Sequence, residues 1–597
     1  MSPSPAIHRP IALELRIRTP HGIPVPGATV IIHGGGLEIA AIEQHGVYRL
    51  ALPTPGDYQL VVQRFQRPGG FDHRTLRAAL FYTHTSAGPA LRHLGELDGA
   101  RTRIDRIEPA GAADFALDVT LDYLFFTPIG YPPTAGNHVE LLVDGDAGWG
   151  AVAQDLRRAR ASVHLTTWIY QPSTELERPR PLTSPEERAP YTVQELLESQ
   201  AAAGARVRML LWDAPFLRMP RDVRRVAGRA DDRFEALEQP NPTERPLFPD
   251  GDAGLLGALL GELQIGSYHQ KTVVVDGRVG FCGGMNLKEN DWDSRLHRRC
   301  DARRCRFDRD AEHRARVDRG ELPADYRPRH DFMARLEGPA VEHLERNFQQ
   351  RWNWLIDQEA PWSHHATRMP DPPPQPALAG GVQVQVVRTM PEPFRERGIL
   401  DSHLRALQAA RRLIYIEDQY FRSTHVSDAI ADAVRTWPGL HLVVVTQRSQ
   451  ADDLLAGGWT RAAFERIQRR RPDFVLHTLM VDGEEVDNHA KLMIVDDLFL
   501  SVGSCNINDR GFEYEGEINV AVVDAGLVRC ARLDIWREHL AGDPRLSGDI
   551  DRDAAVWHEH AAHNRRALDD PSLRPRSAVV PFEPRADRRA LTAADVV

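Results

Sequence analysis

Two short stretches of this 597-residue chain carry residue types that could do chemistry together: HQKTVVVD at 269–276 and HAKLMIVD at 489–496. Both follow H-x-K-x4-D, giving His269, Lys271 and Asp276 in the first copy and His489, Lys491 and Asp496 in the second. Of the 74 lysines and arginines only three are lysine, Lys271, Lys288 and Lys491, so two of the three sit inside this pattern. The apolar runs TVVV and LMIV read as strands, on which side chains two apart share a face. His269 and Lys271 therefore lie side by side, as do His489 and Lys491. Two lysines supply compact positive charge for the oxygens of a tetrahedral anion. Two imidazoles, whose charged and neutral forms are both accessible near neutral pH, supply a nucleophile and a general acid/base. Carboxylates orient such rings, and Asp276, Asp496 and Glu517 are the candidates.

The residues after each motif fit an anion site. GGMN offers Gly283, Gly284 and Asn286, and GSCNINDR offers Ser504 and Asn506. Glycine lets backbone amides approach oxygens closely, and Ser and Asn add donors, so this set is expected to bind substrate.

The elements that must position these residues also occur twice. From residue 137 strand-like runs alternate with helical ones (HVELLVDG, GWGAVAQDLRRARA, SVHLTTWIY, TVQELLESQAAAGA, RVRMLLWDA), an order that builds βαβ units. After the Pro-rich PDPPPQPALAGG the order returns with VQVQVVRT, LDSHLRALQAARR, LIYIEDQYF, HVSDAIADAVRTW and LHLVVVTQ. A repeat of this size implies two similar α/β lobes, and face-to-face packing of the lobes would bring both motifs to one cleft. Before them, short β-branched runs between turn-rich spacers (IALELRIRT, ATVIIHG, GVYRLAL, DYQLVVQRF) predict an all-β sandwich. The expected organisation is a β domain over 1–130, a first lobe over 131–368, a linker over 369–382, a second lobe over 383–545 and a C-terminal extension over 546–597. Residues 298–329 read as a charged insertion inside the first lobe, with a solvated loop as the plain expectation.

Composition bounds the alternatives. Apolar residues make up 42% of the chain and charged residues 26%, ordinary for a globular protein with more than one core. A net charge of −10 argues against a dedicated nucleic-acid binder. Five cysteines in so long a chain are no disulfide scaffold. The first residues lack an apolar run with basic flanks, and no run approaches the length of a membrane span. The chain is thus expected to be made in the cytoplasm, with any export using a route that needs no cleavable signal.

HQKTVVVD and HAKLMIVD match the two signatures of the phospholipase D superfamily, the HKD phosphodiesterases, and the resemblance covers roughly 137–545. GSCNINDRGFEYEGEINVAV is similar to that family's Gly-Ser-x-Asn segment and its following glutamate, here Glu517; Gly511 stands where serine is common. IYIEDQYF resembles a stretch of the lipid-hydrolysing branch, with Asp418 where asparagine is usual. GGMNLKENDWDSRLH and HDFMARLEGPAVEHLERNFQQRWN resemble that branch too, the former placing Asp293 and His297. The N-terminal pattern resembles transthyretin-like or carboxypeptidase-regulatory β domains. The resemblance implies hydrolysis of glycerophospholipids to phosphatidic acid and a head-group alcohol, with His269 as nucleophile, His489 as acid/base, a phosphohistidine intermediate and transphosphatidylation when an alcohol replaces water. It implies no cofactor, no metal at the reacting centre, a phospholipid at a membrane surface as partner, no nucleic acid, and a monomer, since one chain holds both motifs. A nuclease or a cardiolipin-synthase-like member of the same superfamily, or a non-catalytic lipid-binding protein, are the alternatives. Trp168 and Tyr170, at the strand end matching Glu417 and Gln419, are expected either to line the site or to pack in the core.

Overall fold

The computed structural model describes residues 10–585, apart from 45, 68, 69, 72, 86, 98–100, 111–113, 181–183, 213–220, 222–232, 241–265, 361 and 452–456. The chain separates into two compact units, Met1–Pro128 and Ile129–Val597.

The first unit is β-rich. Two five-stranded sheets form from alternating runs such as Ile11–Arg18, whose inward residues Ile11, Leu13, Leu15 and Ile17 are buried while its even positions carry Glu and Arg. This two-residue period is what a sheet with one dry face requires. The inward faces share one core with Tyr48, Leu60, Leu80 and Leu117.

The second unit holds both motifs. Its strands longer than two residues are β1 (Thr134–Val143), β2 (Ser162–Thr167), β3 (Arg206–Trp212), β4 (Phe234–Gln239), β5 (Thr272–Val275), β6 (Val279–Gly283), β7 (Phe332–Glu337), β8 (Val382–Met390), β9 (Leu413–Asp418), β10 (His441–Thr446), β11 (Leu476–Val481), β12 (Lys491–Val495), β13 (Phe499–Gly503), β14 (Glu517–Val523) and β15 (Val579–Phe582). Its main helices are α1 (Asp144–Arg158), α2 (Val193–Ala202), α3 (Ala340–Asp357), α4 (Gly398–Ala409), α5 (Thr424–Thr436), α6 (Ala525–His539) and α7 (Ile550–Asp569). In the first lobe β2, β3 and β4 run parallel, and β5 pairs antiparallel with β2. In the second, β9, β10 and β11 run parallel, and β12 pairs antiparallel with β9. The strands buried on both faces, TVVV and KLMIV, read as continuous apolar runs because helices cover the sheet.

The lobes do not meet as two separate sheets. β1 pairs with β7 on one side and, through Asn137 and Val382, with β8 on the other, joining both lobes into one 17-stranded sheet. Asn137 stitches this seam: its side-chain amide donates to Val382 O at 3.3 Å and its Oδ1 accepts the Ala340 amide at 2.7 Å. The face-to-face packing expected from sequence is thus replaced by edge-to-edge continuation, which still brings the ends of β5 and β12 together.

Two stretches differ from their sequence reading. Residues after 545, taken as an extension, form α7, which buries Trp557 against Trp536 and Tyr415, and β15, which pairs with β11; residues 586–597 lie outside the described part. The 298–329 insertion is no solvated loop. Arg304 and Arg314 are fully buried in it, and they hold its turns by donating to the carbonyls of Tyr326, Arg298, Ala302 and Arg306. Five guanidinium donors on one planar group let arginine brace the small apolar cluster of Ala302, Cys305 and Val317 in so charged a segment.

Candidate active site

His269 and Lys271 immediately precede β5, and His489 and Lys491 occupy the same place at the start of β12. The two motifs are knitted together through the backbone. The His269 amide donates to Gly516 O at 2.8 Å, and the His489 amide to His330 O at 2.8 Å, so each histidine is anchored by the opposite lobe. Gly516 allows this approach, since a methyl there would collide with the Tyr268 ring.

The side chains cross over in the same way. His269 Nδ1 lies 2.9 Å from Glu517 Oε1 of the second lobe, and His489 Nδ1 lies 2.7 Å from Asp331 Oδ2 of the first. The Ser504 hydroxyl donates to the other Glu517 oxygen. With Nδ1 engaged, Nε2 is the nitrogen left to react on each ring. Lys271 Nζ donates to His269 O at 2.6 Å and Lys491 Nζ to His489 O, which fixes each ammonium beside its imidazole. All four groups are buried.

Burial sets the charge states. Desolvation, with Lys271 and Lys491 as further causes, pushes the His269 imidazole well below its ordinary range, so it is neutral at pH 7. His489 moves the same way, through burial and then Arg329, Lys491 and Lys288. Burial raises both partner carboxyls, Asp331 and Glu517, to about 7, against the pull of the lysines. Lys271 falls to about 7, chiefly by desolvation. Two buried lysines beside neutral imidazoles give the site a charge that suits the oxygens of a phosphate anion.

Asp276 and Asp496 do not orient the histidines. Five residues at about 3.3 Å each carry Asp276 roughly 16 Å along the chain from Lys271, to the far end of β5. There Asp276 (φ 53°) and Gly277 (φ 63°) form the tight turn into β6, a conformation Asp and Gly tolerate. The Asp276 carboxylate accepts the amides of Arg160, Ala161 and Ser162, the last two at 2.7 and 2.9 Å. Asp496 (φ 54°) accepts those of Arg411, Arg412 and Leu413, each at 2.7 Å. Each aspartate ties the start of the neighbouring antiparallel strand, β2 or β9, to the hairpin.

The expected substrate-binding set is also used inside the protein. The amides of Gly283, Gly284 and Ser504 donate to Lys271 O, Phe332 O and Ile518 O. Asn286 gives its backbone and side-chain amides to Asp291 Oδ2 at 2.7 and 3.0 Å. Gly284 is needed for a different reason: a methyl there would overlap the Asp331 carboxylate. Asn506 is buried, with Oδ1 lacking a hydrogen-bond partner among the described residues. Of the predicted residues, then, His269, Lys271, His489, Lys491 and Glu517 converge, with Ser504 behind Glu517. Asp331 was missed, although HD opens the quoted segment HDFMARLEG.

Strand register aligns Trp168 with Gln419, not with Glu417 as expected, and Tyr170 with Phe421. Trp168 forms a wall of the site. It stacks on Trp212 at 4.7 Å, meets His269 edge-on at 5.0 Å and lies 5.7 Å from Lys271 Nζ. Tyr170 packs away from it, donating to Gln194 Oε1 at 2.7 Å.

A second polar cluster sits behind His489. Ligand atoms of Asp144, His297, His330 and Glu538 lie within 4.8 Å of one another, a set of two imidazoles and two carboxylates that could hold a divalent cation. The far nitrogens point to carboxylates as well, His297 Nδ1 to Asp293 at 3.0 Å and His330 Nε2 to Glu417 at 3.3 Å. The same groups are satisfied as imidazolium–carboxylate pairs: burial opposes the His297 cation, but Asp144, Asp293 and Glu538 outweigh it and hold the ring at about 10.

Comparison with known proteins matches residues 155–370 to the family described as Phospholipase D, and residues 403–536 to "Cardiolipin synthase, PLD-like domain". Phospholipase D A of Dictyostelium discoideum is 26% identical over 489 residues, covering 68% of this chain and 36% of that protein. Phospholipase D alpha 1 of Vigna unguiculata is 23% identical over 533 residues, covering 66% and 63%. The chain thus spans less than two thirds of the length of either relative. Cardiolipin synthase of Listeria innocua is 22% identical over 440 residues, covering 73% of this chain and 76% of that protein. Among solved structures, phosphatidylserine synthase of Haemophilus influenzae aligns with a TM-score of 0.45 at 13% identity, covering 74% of this chain and 97% of that one.

Proposed function

The chain belongs to the phospholipase D superfamily of HKD phosphodiesterases, and on that premise we propose that it transfers a phosphatidyl group from a glycerophospholipid to water or an alcohol by way of a phosphohistidine. The observation that carries this is the crossed pairing of His269 with Glu517 and His489 with Asp331 around two buried lysines.

In the proposed reaction Lys271 and Lys491 bind the non-bridging oxygens. His269 Nε2, neutral through burial, attacks phosphorus, and Glu517 stabilises the positive charge that develops on the ring. The P–O bond to the head group breaks, and His489 Nε2 gives that oxygen its proton. Burial, and after it the surrounding cations, drives His489 toward its neutral form. A bound phosphate anion offsets those cations, so substrate arrival itself favours the acid form. In the second half His489 removes a proton from the acceptor, whose oxygen displaces His269 and restores the imidazole.

Water as acceptor gives phosphatidic acid, the product that the family resemblance implies. An alcohol borne by a second lipid gives a cardiolipin-synthase-like transfer. That second reading is favoured by the family match over the second lobe and by the Listeria relative, which the chain covers more fully than it covers the phospholipases D. Among the described residues no helix is long and apolar enough to cross a membrane.

The test is product analysis with vesicles of phosphatidylcholine, phosphatidylethanolamine or phosphatidylglycerol, and with single-stranded DNA, for the wild type, His269→Ala and His489→Ala. Phosphatidic acid, or cardiolipin from phosphatidylglycerol, made by the wild type alone supports the proposal. DNA cleavage without lipid turnover would replace it with the nuclease alternative.

A further inference from the structure

Asp418 ends β9 directly opposite Lys491, its register partner on β12, so the two side chains share one face of the sheet. The carboxyl is buried. Its Oδ1 accepts the Tyr420 amide at 2.9 Å, the Ile507 amide also bears on it, and Oδ2 has no hydrogen-bond partner among the described residues.

The first lobe satisfies the matching amide of the neighbouring loop without a charge. There β2 sets Thr166 against Thr272, and one residue further places Thr167 against Lys271. The Thr167 hydroxyl donates to Ile169 O at 2.8 Å and accepts the Leu287 amide at 3.4 Å. Leu287 follows Asn286 as Ile507 follows Asn506. Local hydrogen bonding therefore asks for an acceptor at 418, which a neutral amide oxygen would also supply.

We propose that Asp418 is an internal competitor of the substrate phosphate for Lys491, holding the lysine's charge when ionised and releasing it when protonated. It acts through Lys491 and touches no reacting atom, so it is a positioning residue. The proposal rests on the two-lysine anion site of the phosphodiesterase reading. The groups that bear on Asp418 are Lys491 on β12, Asp331 ahead of β7, the Tyr420 phenol and the Cys505 thiol; Lys491 in turn feels Asp331, Arg329 and Glu517. Burial raises Asp418 to about 8, against the pull of Lys491.

The sign of the effect follows from coupled titration. Anion binding selects the state with Asp418 protonated and Lys491 charged. That state can lose a proton from either group, so its apparent dissociation constant is the sum of the two separate ones. Removing the carboxyl deletes one route. The pH at which anion affinity is lost can then only rise.

Sulfate is the probe, because it neither titrates between about pH 6 and pH 9 nor can be turned over. Its binding to the full chain is measured calorimetrically for the wild type, Asp418→Asn and Asp418→Thr, with Lys491→Ala defining binding away from the site. The affinities should agree within about two-fold at pH 6, and both variants should bind at least about five-fold tighter than wild type at pH 9. The Thr variant copies the first lobe and guards against a folding defect of the Asn variant. Parallel pH profiles, or weaker binding by both variants at pH 9, would overturn the proposal, as would a wild type that binds no sulfate at pH 6. Lipid inactivity beside the expected sulfate profile would instead remove the lipid substrate and leave the role of Asp418 standing.

Discussion

Asp331 of the first lobe holds His489 of the second, its Oδ2 2.7 Å from the imidazole Nδ1. The reciprocal contact, Glu517 of the second lobe on His269 of the first, makes each half of the site depend on the other. Asp331→Asn keeps a hydrogen-bond acceptor and removes the charge that stabilises the imidazolium. We expect kcat to fall by about 10²-fold with KM little changed, read by steady-state assay on lipid vesicles. An unchanged kcat would mean that the carboxylate serves packing alone.

Asp276 and Asp496 should behave differently. Asp276→Ala removes an acceptor of three amides at a left-handed position, which costs about 1–3 kcal/mol by denaturant unfolding. The folded fraction should keep nearly normal kcat, and Asp496→Ala should do the same. A hundred-fold loss of kcat without destabilisation would return these residues to the chemistry.

Lys271 predicts the direction of a pH effect. Burial brings its ammonium down to about 7, so the charge that binds phosphate is present below that pH and is lost as pH rises through it. KM for lipid should therefore rise on the alkaline side. Lys271→Arg stays charged at every pH but brings a broad planar fork to a place shaped for a point charge. A loss of kcat of about 10²-fold with retained fold is expected, and near-normal turnover would show that charge alone suffices.

Trp557 of α7 tests whether the C-terminal segment belongs to the catalytic unit. It is fully buried against Trp536 and Tyr415. Trp557→Ala should destabilise the protein by about 3–5 kcal/mol, and a chain ending at residue 545 should not fold to an active form. Normal thermal unfolding of either would show α7 to be an appendage.

Much of this was legible in the sequence for physical reasons. The HxK spacing on a strand places imidazole and ammonium together whatever surrounds them, and a repeated order of strands and helices gives two lobes. Asp331 was not legible, because its partner lies 158 positions away and no local pattern joins the two. The roles of Asp276 and Asp496 were misread for the opposite reason. Their fixed place in the motif suggested shared chemistry, although strand rise alone puts them at the far end of β5 and β12. The glycines after each motif were assigned to phosphate, whereas Gly284 makes room for Asp331. The joining of both lobes into one sheet depends on Asn137 and its partners across 245 residues, which no window of sequence displays.

The central claim is that His269 carries the phosphatidyl group between donor and acceptor. Rapid quenching of turnover under conditions that preserve acid-labile phosphoramidates, followed by peptide mass spectrometry, tests it most directly. A phosphatidyl adduct is expected on the peptide containing His269, enriched in His489→Ala and absent from His269→Ala. An adduct on His489, or turnover by His269→Ala at the wild-type rate, would contradict it.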